Sequence, residues 1–221
     1  MSTFSKTEVL LKLQAVPVVP VFFHADAQVA KEVVRACYEG GIRVFEFTNR
    51  GDRADEVFAS LISFVRSECK DMALGAGSIV EEATAARYLQ LGADFIVGPL
   101  FNERVARTCH RRGVAYVPGC GTITEVGNAQ EIGCDLVKVF PGEVLTPRFV
   151  KALLAPMPWS RVMVTGGVEP TRENLAEWFK AGAACVGMGS KLFPKTVIAN
   201  QDWKAIQEKC QEVVQLIQEI R

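Results

Sequence analysis

Eight short runs of apolar, largely β-branched residues recur along this chain at intervals of roughly 20 to 30 residues, and that rhythm constrains the fold more than any single motif. The runs are VVPVFF from Val18, VFEFTN from Val44, ALGAGS from Ala73, FIVGP from Phe95, AYVPG from Ala115, LVKVFP from Leu136, VMVTGG from Val162 and CVGMGS from Cys185. Each interval has the length of a strand, a crossover helix and two loops. Between the runs lie helical patterns such as AQVAKEVVRACYEGG, EEATAARYLQLGA, NERVARTCHRRG and TRENLAEWFKAGA, several closing on a glycine just before the next run. Nearly continuous apolar strands suit a parallel sheet covered on both faces. The expected fold is α/β, a TIM (β/α)8 barrel with an extra N-terminal helix from about Lys6 to Ala15 and a C-terminal helix within DWKAIQEKCQEVVQLIQEI. In the latter, Trp203, Ile206, Val213, Leu216, Ile217 and Ile220 form the expected buried side. An open doubly wound sheet is the alternative that periodicity leaves standing. No GxGxxG follows the first run, however, where a dinucleotide-binding unit carries one.

The 221 residues suit one such barrel, and no linker, low-complexity tract or charge run divides them, so residues 1–221 are read as a single domain. Formal net charge is zero and 49% of the chain is apolar. Binding of nucleic acid or a membrane surface needs a basic excess that is missing here. The N-terminus lacks the charged and long apolar regions of a signal peptide, and no apolar run reaches about 18 residues, so a cytoplasmic location is expected. The seven cysteines are scattered without a CxxC pair and read as reduced, buried thiols, Cys120 and Cys134 among them. The two histidines, His24 and His110, lie far apart, so neither a metal site nor a cofactor is expected.

Within this scaffold the stretch DLVKVFPGE, from Asp135 to Glu143, sets a lysine in a strand with both faces covered. Leu136, Lys138 and Phe140 share one face, and Val137 and Val139 the other. In VFEFTNR the parity groups Val44, Glu46, Thr48 and Arg50, and Phe45 and Phe47 suit the helix layer, which points Glu46 into the barrel. A buried carboxylate and a buried lysine are each costly unless paired or used. A structural Lys138–Glu46 ion pair is one reading. The other is chemical: a lysine among apolar side chains loses the solvation that favours the ammonium form, and a free amine attacks ketones to give a Schiff base, an electron sink for carbon–carbon cleavage. Phe140 then supplies part of an apolar wall, and Glu46 shuttles protons. The glycine-rich ends Thr165–Gly166–Gly167 and Gly187 to Ser190 follow the last two strands, where many barrels form a phosphate site from backbone N–H groups. Tight turns also require such glycines.

VFEFTNR, GAGS, DLVKVFP, VTGG and VGMGS, in that order and at those strand ends, resemble the 2-dehydro-3-deoxy-phosphogluconate (KDPG) aldolases and the overlapping 4-hydroxy-2-oxoglutarate (KHG) aldolases, from about Val16 to Phe193. The resemblance implies that Lys138 is the Schiff-base lysine and Glu46 the general acid/base, working partly through a water. It implies that Arg50 holds the substrate carboxylate by a charge-assisted fork, supported by Ser78 where the family usually has threonine. Pro99 and Phe140 border the pyruvyl group, and Thr165, Gly166, Gly167, Gly189 and Ser190 surround the distal end. A homotrimer is implied as well. GPLFN, GCGT and the pair Lys191–Leu192 depart from the family's usual residues, which puts the aldehyde half of the specificity in question.

The expected activity is a metal-independent class I aldolase, a carbon–carbon lyase of the Entner–Doudoroff type, splitting 2-dehydro-3-deoxy-6-phosphogluconate into pyruvate and glyceraldehyde 3-phosphate. The alternatives are a 4-hydroxy-2-oxoglutarate or related sugar-acid aldolase, a phosphosugar isomerase or synthase barrel using Glu46 as base, and a catalytically silent barrel that binds a small acid.

Overall fold

A computed structural model describes residues 1–221. The chain opens with α1 (Lys6–Ala15) and then alternates: β1 (Val18–Phe22), α2 (Ala27–Glu39), β2 (Val44–Thr48), α3 (Ala54–Glu68), β3 (Ala73–Gly77), α4 (Glu82–Leu91), β4 (Phe95–Val97), α5 (Glu103–His110) and β5 (Ala115–Val117). The second half continues with β6 (Gly119–Cys120), α6 (Ile123–Glu131), β7 (Val137–Val139), α7 (Gly142–Leu154), β8 (Val162–Thr165), α8 (Arg172–Lys180), β9 (Cys185–Met188), α9 (Lys195–Ala199) and α10 (Trp203–Ile220). Polar residues at the strand-to-helix turns start the helices. Asp26 caps α2, Asn102 caps α5 and Thr171 caps α8, while Ser5–Glu8 and Thr122–Glu125 close reciprocal capping boxes on α1 and α6.

All strand pairs are parallel, in the order β5-β4-β3-β2-β1-β9-β8-β7-β6. The two outermost strands are halves of one, separated by Pro118 alone, which has no N–H to donate to a ladder. On one side the Gly98 N–H donates to the Val117 carbonyl at 3.1 Å, and on the other the Lys138 N–H donates to the Pro118 carbonyl at 2.8 Å. The sheet therefore closes on itself, and the expected eight-stranded barrel is the fold.

Alternation along each strand separates two apolar layers. Val19, Val44, Ala73, Phe95, Val97, Ala115, Val117, Leu136, Met163 and Cys185 face the lumen, and Val9 and Leu13 of α1 join them from below. Everything else in the core belongs to the larger layer between strands and helices, which includes Phe45 and Phe47. Val9 and Leu13 stand four residues apart on one side of α1, so this helix stoppers the barrel at the N-terminal ends of its strands. Asp94 fastens the stopper's lead-in: its carboxylate accepts from the Thr3, Phe4 and Leu74 N–H groups. No helix is long and apolar enough to cross a membrane.

Candidate active site

Inward parity continues above the apolar layers, and there the lumen turns polar. Glu46 lies level with Val21 and Gly75, and Lys138 level with Gly119 and Met163. Glu46 is 1% exposed, Lys138 6% and Thr165 9%. Glu46 Oε2 and Thr165 Oγ1 have no hydrogen-bond partner. Lys138 has no carboxylate partner, and none of the chain's ion pairs includes Glu46. The buried Lys138–Glu46 ion pair considered from sequence is not formed. An unsatisfied buried polar group costs about 1–3 kcal/mol and more when charged, so two of them on β2 and β8 facing one lumen, with the unpaired Lys138 on β7 beside them, mark a place built for a ligand.

Glycines make that arrangement possible. A β carbon at Gly77 would overlap the Glu46 carboxyl group, and one at Gly187 would overlap Thr165 Oγ1. In the sequence both glycines look like ordinary members of GAGS and CVGMGS. Their signal was a glycine inside a strand, which marks close approach.

Phe140 lies beside the lysine, with Lys138 Nζ 4.9 Å from its ring centroid. This is the apolar wall expected from the strand spacing, and the ring face also attracts a cation. At the ends of β2 and β3, Arg50 and Ser78 meet: the Arg50 Nε–H donates to Ser78 Oγ at 3.2 Å, leaving the terminal guanidinium nitrogens free to face a carboxylate. Ser78 holds φ 60°, the left-handed region that side chains rarely adopt. Asn49 steadies the same turn, its N–H donating to the Gly77 carbonyl at 2.8 Å and its Oδ1 accepting from the Tyr88 hydroxyl at 2.9 Å. Pro99 follows β4, and its carbonyl lies against Gly119, where a β carbon would overlap it.

The glycines of the last two strand ends divide. Gly166 and Gly167 have φ 93° and 67°, and β carbons there would meet Glu143 at the start of α7. The turn and the packing thus require both whether or not a ligand binds. Gly189 differs: it has no positive φ, and the nearest atom to a β carbon there is the Val21 carbonyl oxygen at 3.6 Å. A β carbon there would make only an ordinary contact, so neither turn nor packing requires this glycine, which lies beside the exposed Ser190. Lys191 is occupied by an ion pair with Glu169 at 2.8 Å.

His24 lies outside the lumen. Its ring lies parallel to Phe22, a member of the outer layer, at 6.3 Å, and its Nδ1 accepts from the Asp26 N–H at 3.1 Å. Cys120 and Cys134 are buried as expected, and burial pushes both thiols up to about 12. They are packing residues.

A family model described as KDPG and KHG aldolase matches residues 9–209. The 2-dehydro-3-deoxy-phosphogluconate aldolase of Treponema pallidum (strain Nichols) is 34% identical over 206 residues, covering 93% of this chain and 95% of that protein. The 2-dehydro-3-deoxy-6-phosphogalactonate aldolase of Escherichia coli (strain K12) is 37% identical over 121 residues, 54% of this chain and 58% of that protein. Among solved structures, KDPG aldolase from Legionella pneumophila, with pyruvate captured as a covalent carbinolamine intermediate, superposes with a TM-score of 0.83. The two share 25% identity over 92% of this chain and 97% of that one.

Proposed function

The chain belongs to the KDPG and KHG aldolase family, and on that premise we propose that it cleaves 2-dehydro-3-deoxy-6-phosphogluconate to pyruvate and glyceraldehyde 3-phosphate through a Schiff base on Lys138. One observation carries the reading: Lys138, Glu46 and Thr165 converge in a closed lumen without carboxylate or hydrogen-bond partners of their own. Arg50 and Ser78 take the C1 carboxylate, which brings the C2 ketone toward Lys138 Nζ. The amine adds to C2, and loss of water gives an iminium. Glu46 takes the proton from the C4 hydroxyl as the C3–C4 bond breaks, and the electron pair moves into the iminium to leave an enamine. Protonation at C3 and hydrolysis then release pyruvate and restore the lysine. Phe140 and Pro99 shield the pyruvyl carbons. Thr165, Gly166, Gly167, Gly189 and Ser190 face the departing aldehyde, and a glycine at 189 that neither turn nor packing requires supports the approach of a phosphorylated end. The unpaired thiols support a reducing, cytoplasmic setting. The assembly proposed is a homotrimer.

Glu143 favours a second substrate. Its carboxylate lies against Gly166, where a distal phosphate would approach, and like charges repel. The shorter 4-hydroxy-2-oxoglutarate keeps the pyruvyl contacts and extends less far toward that turn.

Borohydride reduction in the presence of pyruvate tests the chemistry. The expected product is one reduced adduct on Lys138, absent from Lys138→Ala together with turnover. An adduct on Lys191 or Lys195 would move the site, and turnover without any adduct would leave Lys138 a merely electrostatic role. Comparing kcat/KM for the two substrates on the same preparation separates the readings, with the phosphorylated six-carbon acid expected to be the better.

A further inference from the structure

Two cysteines with no part in the lumen face each other across the helical layer. Cys37 lies in the last turns of α2 and Cys210 in the middle of α10. Their sulfur atoms are 3.7 Å apart although 173 residues separate them along the chain, and both side chains are 0% exposed. The helices touch at that level, because a β carbon at Gly40 would stand 2.5 Å from Cys210 Cβ and 2.8 Å from the Gln207 carbonyl oxygen. A disulfide needs sulfurs about 2.05 Å apart, so the two sulfurs, 3.7 Å apart, must close by less than their present separation to bond. No other cysteine has a sulfur partner.

We propose that Cys37 and Cys210 form an oxidation site, at which a low-molecular-weight disulfide such as glutathione disulfide converts the two thiols into one covalent link between α2 and α10. The reaction needs α10 to lift. In the packed state burial and the neighbouring Cys210 hold the Cys37 thiol well above its ordinary range, so the attacking thiolate forms only once the helices part. α10 packs on α2, α8 and α9 and makes no strand pair, so parting it from α2 is a local opening that leaves the hydrogen-bonded sheet intact. One cysteine loses its proton and attacks a glutathione sulfur, forming a mixed disulfide and releasing one glutathione thiolate. The second cysteine loses its proton and attacks the protein-side sulfur, forming the internal bond and releasing the second glutathione. The two departing thiolates take up the two protons. The protein pair is oxidised by two electrons, and the glutathione disulfide is reduced by two. Closing the link returns α10 to α2 and removes the opened state.

The test exposes the full chain to glutathione disulfide, alkylates remaining thiols and maps peptides without reduction, with thermal unfolding measured in parallel. Expected are an intact mass lower by two hydrogens, one cross-linked peptide pair joining Cys37 to Cys210, and a higher melting midpoint that dithiothreitol reverses. Cys210→Ser, or Cys210→Ala if serine is not tolerated, should instead stop at a glutathione adduct on Cys37. Glutathione adducts without an internal link in the wild type, links dominated by other cysteines, or an unchanged or lower midpoint after cross-linking would each overturn the assignment. So would a wild type that stays reduced, whether or not the variant is modified.

Discussion

At Gly77 a hydrogen atom stands where any other residue would carry a β carbon, and the Glu46 carboxyl group leans into that space. Because Gly77 lacks a positive φ, alanine suits its backbone, and the three atoms nearest its β carbon all belong to Glu46. Gly77→Ala is expected to leave a folded protein that still binds pyruvate while kcat falls toward the 10²–10⁴-fold (order-of-magnitude) loss of removing general acid–base assistance. Steady-state kinetics beside a melting curve decide it, and an unchanged kcat in a folded variant would free Glu46 of its assigned role. Lys138 and Glu46 stand out in the sequence because a charge inside an apolar run has few bland explanations, whereas Arg50, past the end of its run, becomes a candidate only beside Glu46. The glycines that make room for Glu46 and Thr165 do not stand out, since a glycine says that something is near without saying what. The meeting of Arg50 with Ser78 likewise depends on neighbouring strands, whose order a single sequence does not display.

Among the elements, α1 shows how far local pattern reaches. Its limits, Lys6 to Ala15, match those expected, because Ser5 and Glu8 write a capping box into the sequence. Its task was hidden: only the structure turns Val9 and Leu13 into the floor of the lumen, 1% and 5% exposed. Leu13→Ala should therefore cost on the order of 2–5 kcal/mol, the usual range for emptying a buried leucine site. Denaturant unfolding monitored by circular dichroism checks this, and a loss below about 1 kcal/mol would mean α1 packs loosely, as a surface substitution would. On the C-terminal helix the expected Ile206, Val213 and Ile217 are buried, and Cys210, which the apolar pattern does not single out, is buried with them. Thiols rank with apolar residues in burial, but a sequence gives them no such label. The split between β5 and β6 at Pro118 was equally silent, because AYVPGC reads as a run that simply ends.

For the whole molecule, four exposed apolar side chains follow one another around the rim that carries the site. Val80 lies between β3 and α4, Leu100 between β4 and α5, Ile123 at the start of α6 and Val144 near the start of α7. Exposed apolar side chains on successive turns of one rim suit a contact surface, and the proposed trimer would cover them. Light scattering should give three times the 24.2 kDa chain mass. Leu100→Glu should lower it, and a wild-type mass of one chain would remove the trimer. The stopper formed by α1 has a consequence for traffic. With α1 and the apolar layer filling its lower part, the lumen is open at one end alone, so on the proposed chemistry a molecule seated on Lys138 would enter past Arg50, Ser78 and Ser190 and leave by the same threshold. The proposed pyruvyl half, deepest in this cul-de-sac, would be first in and last out, and the aldehyde half would depart while its companion is still inside.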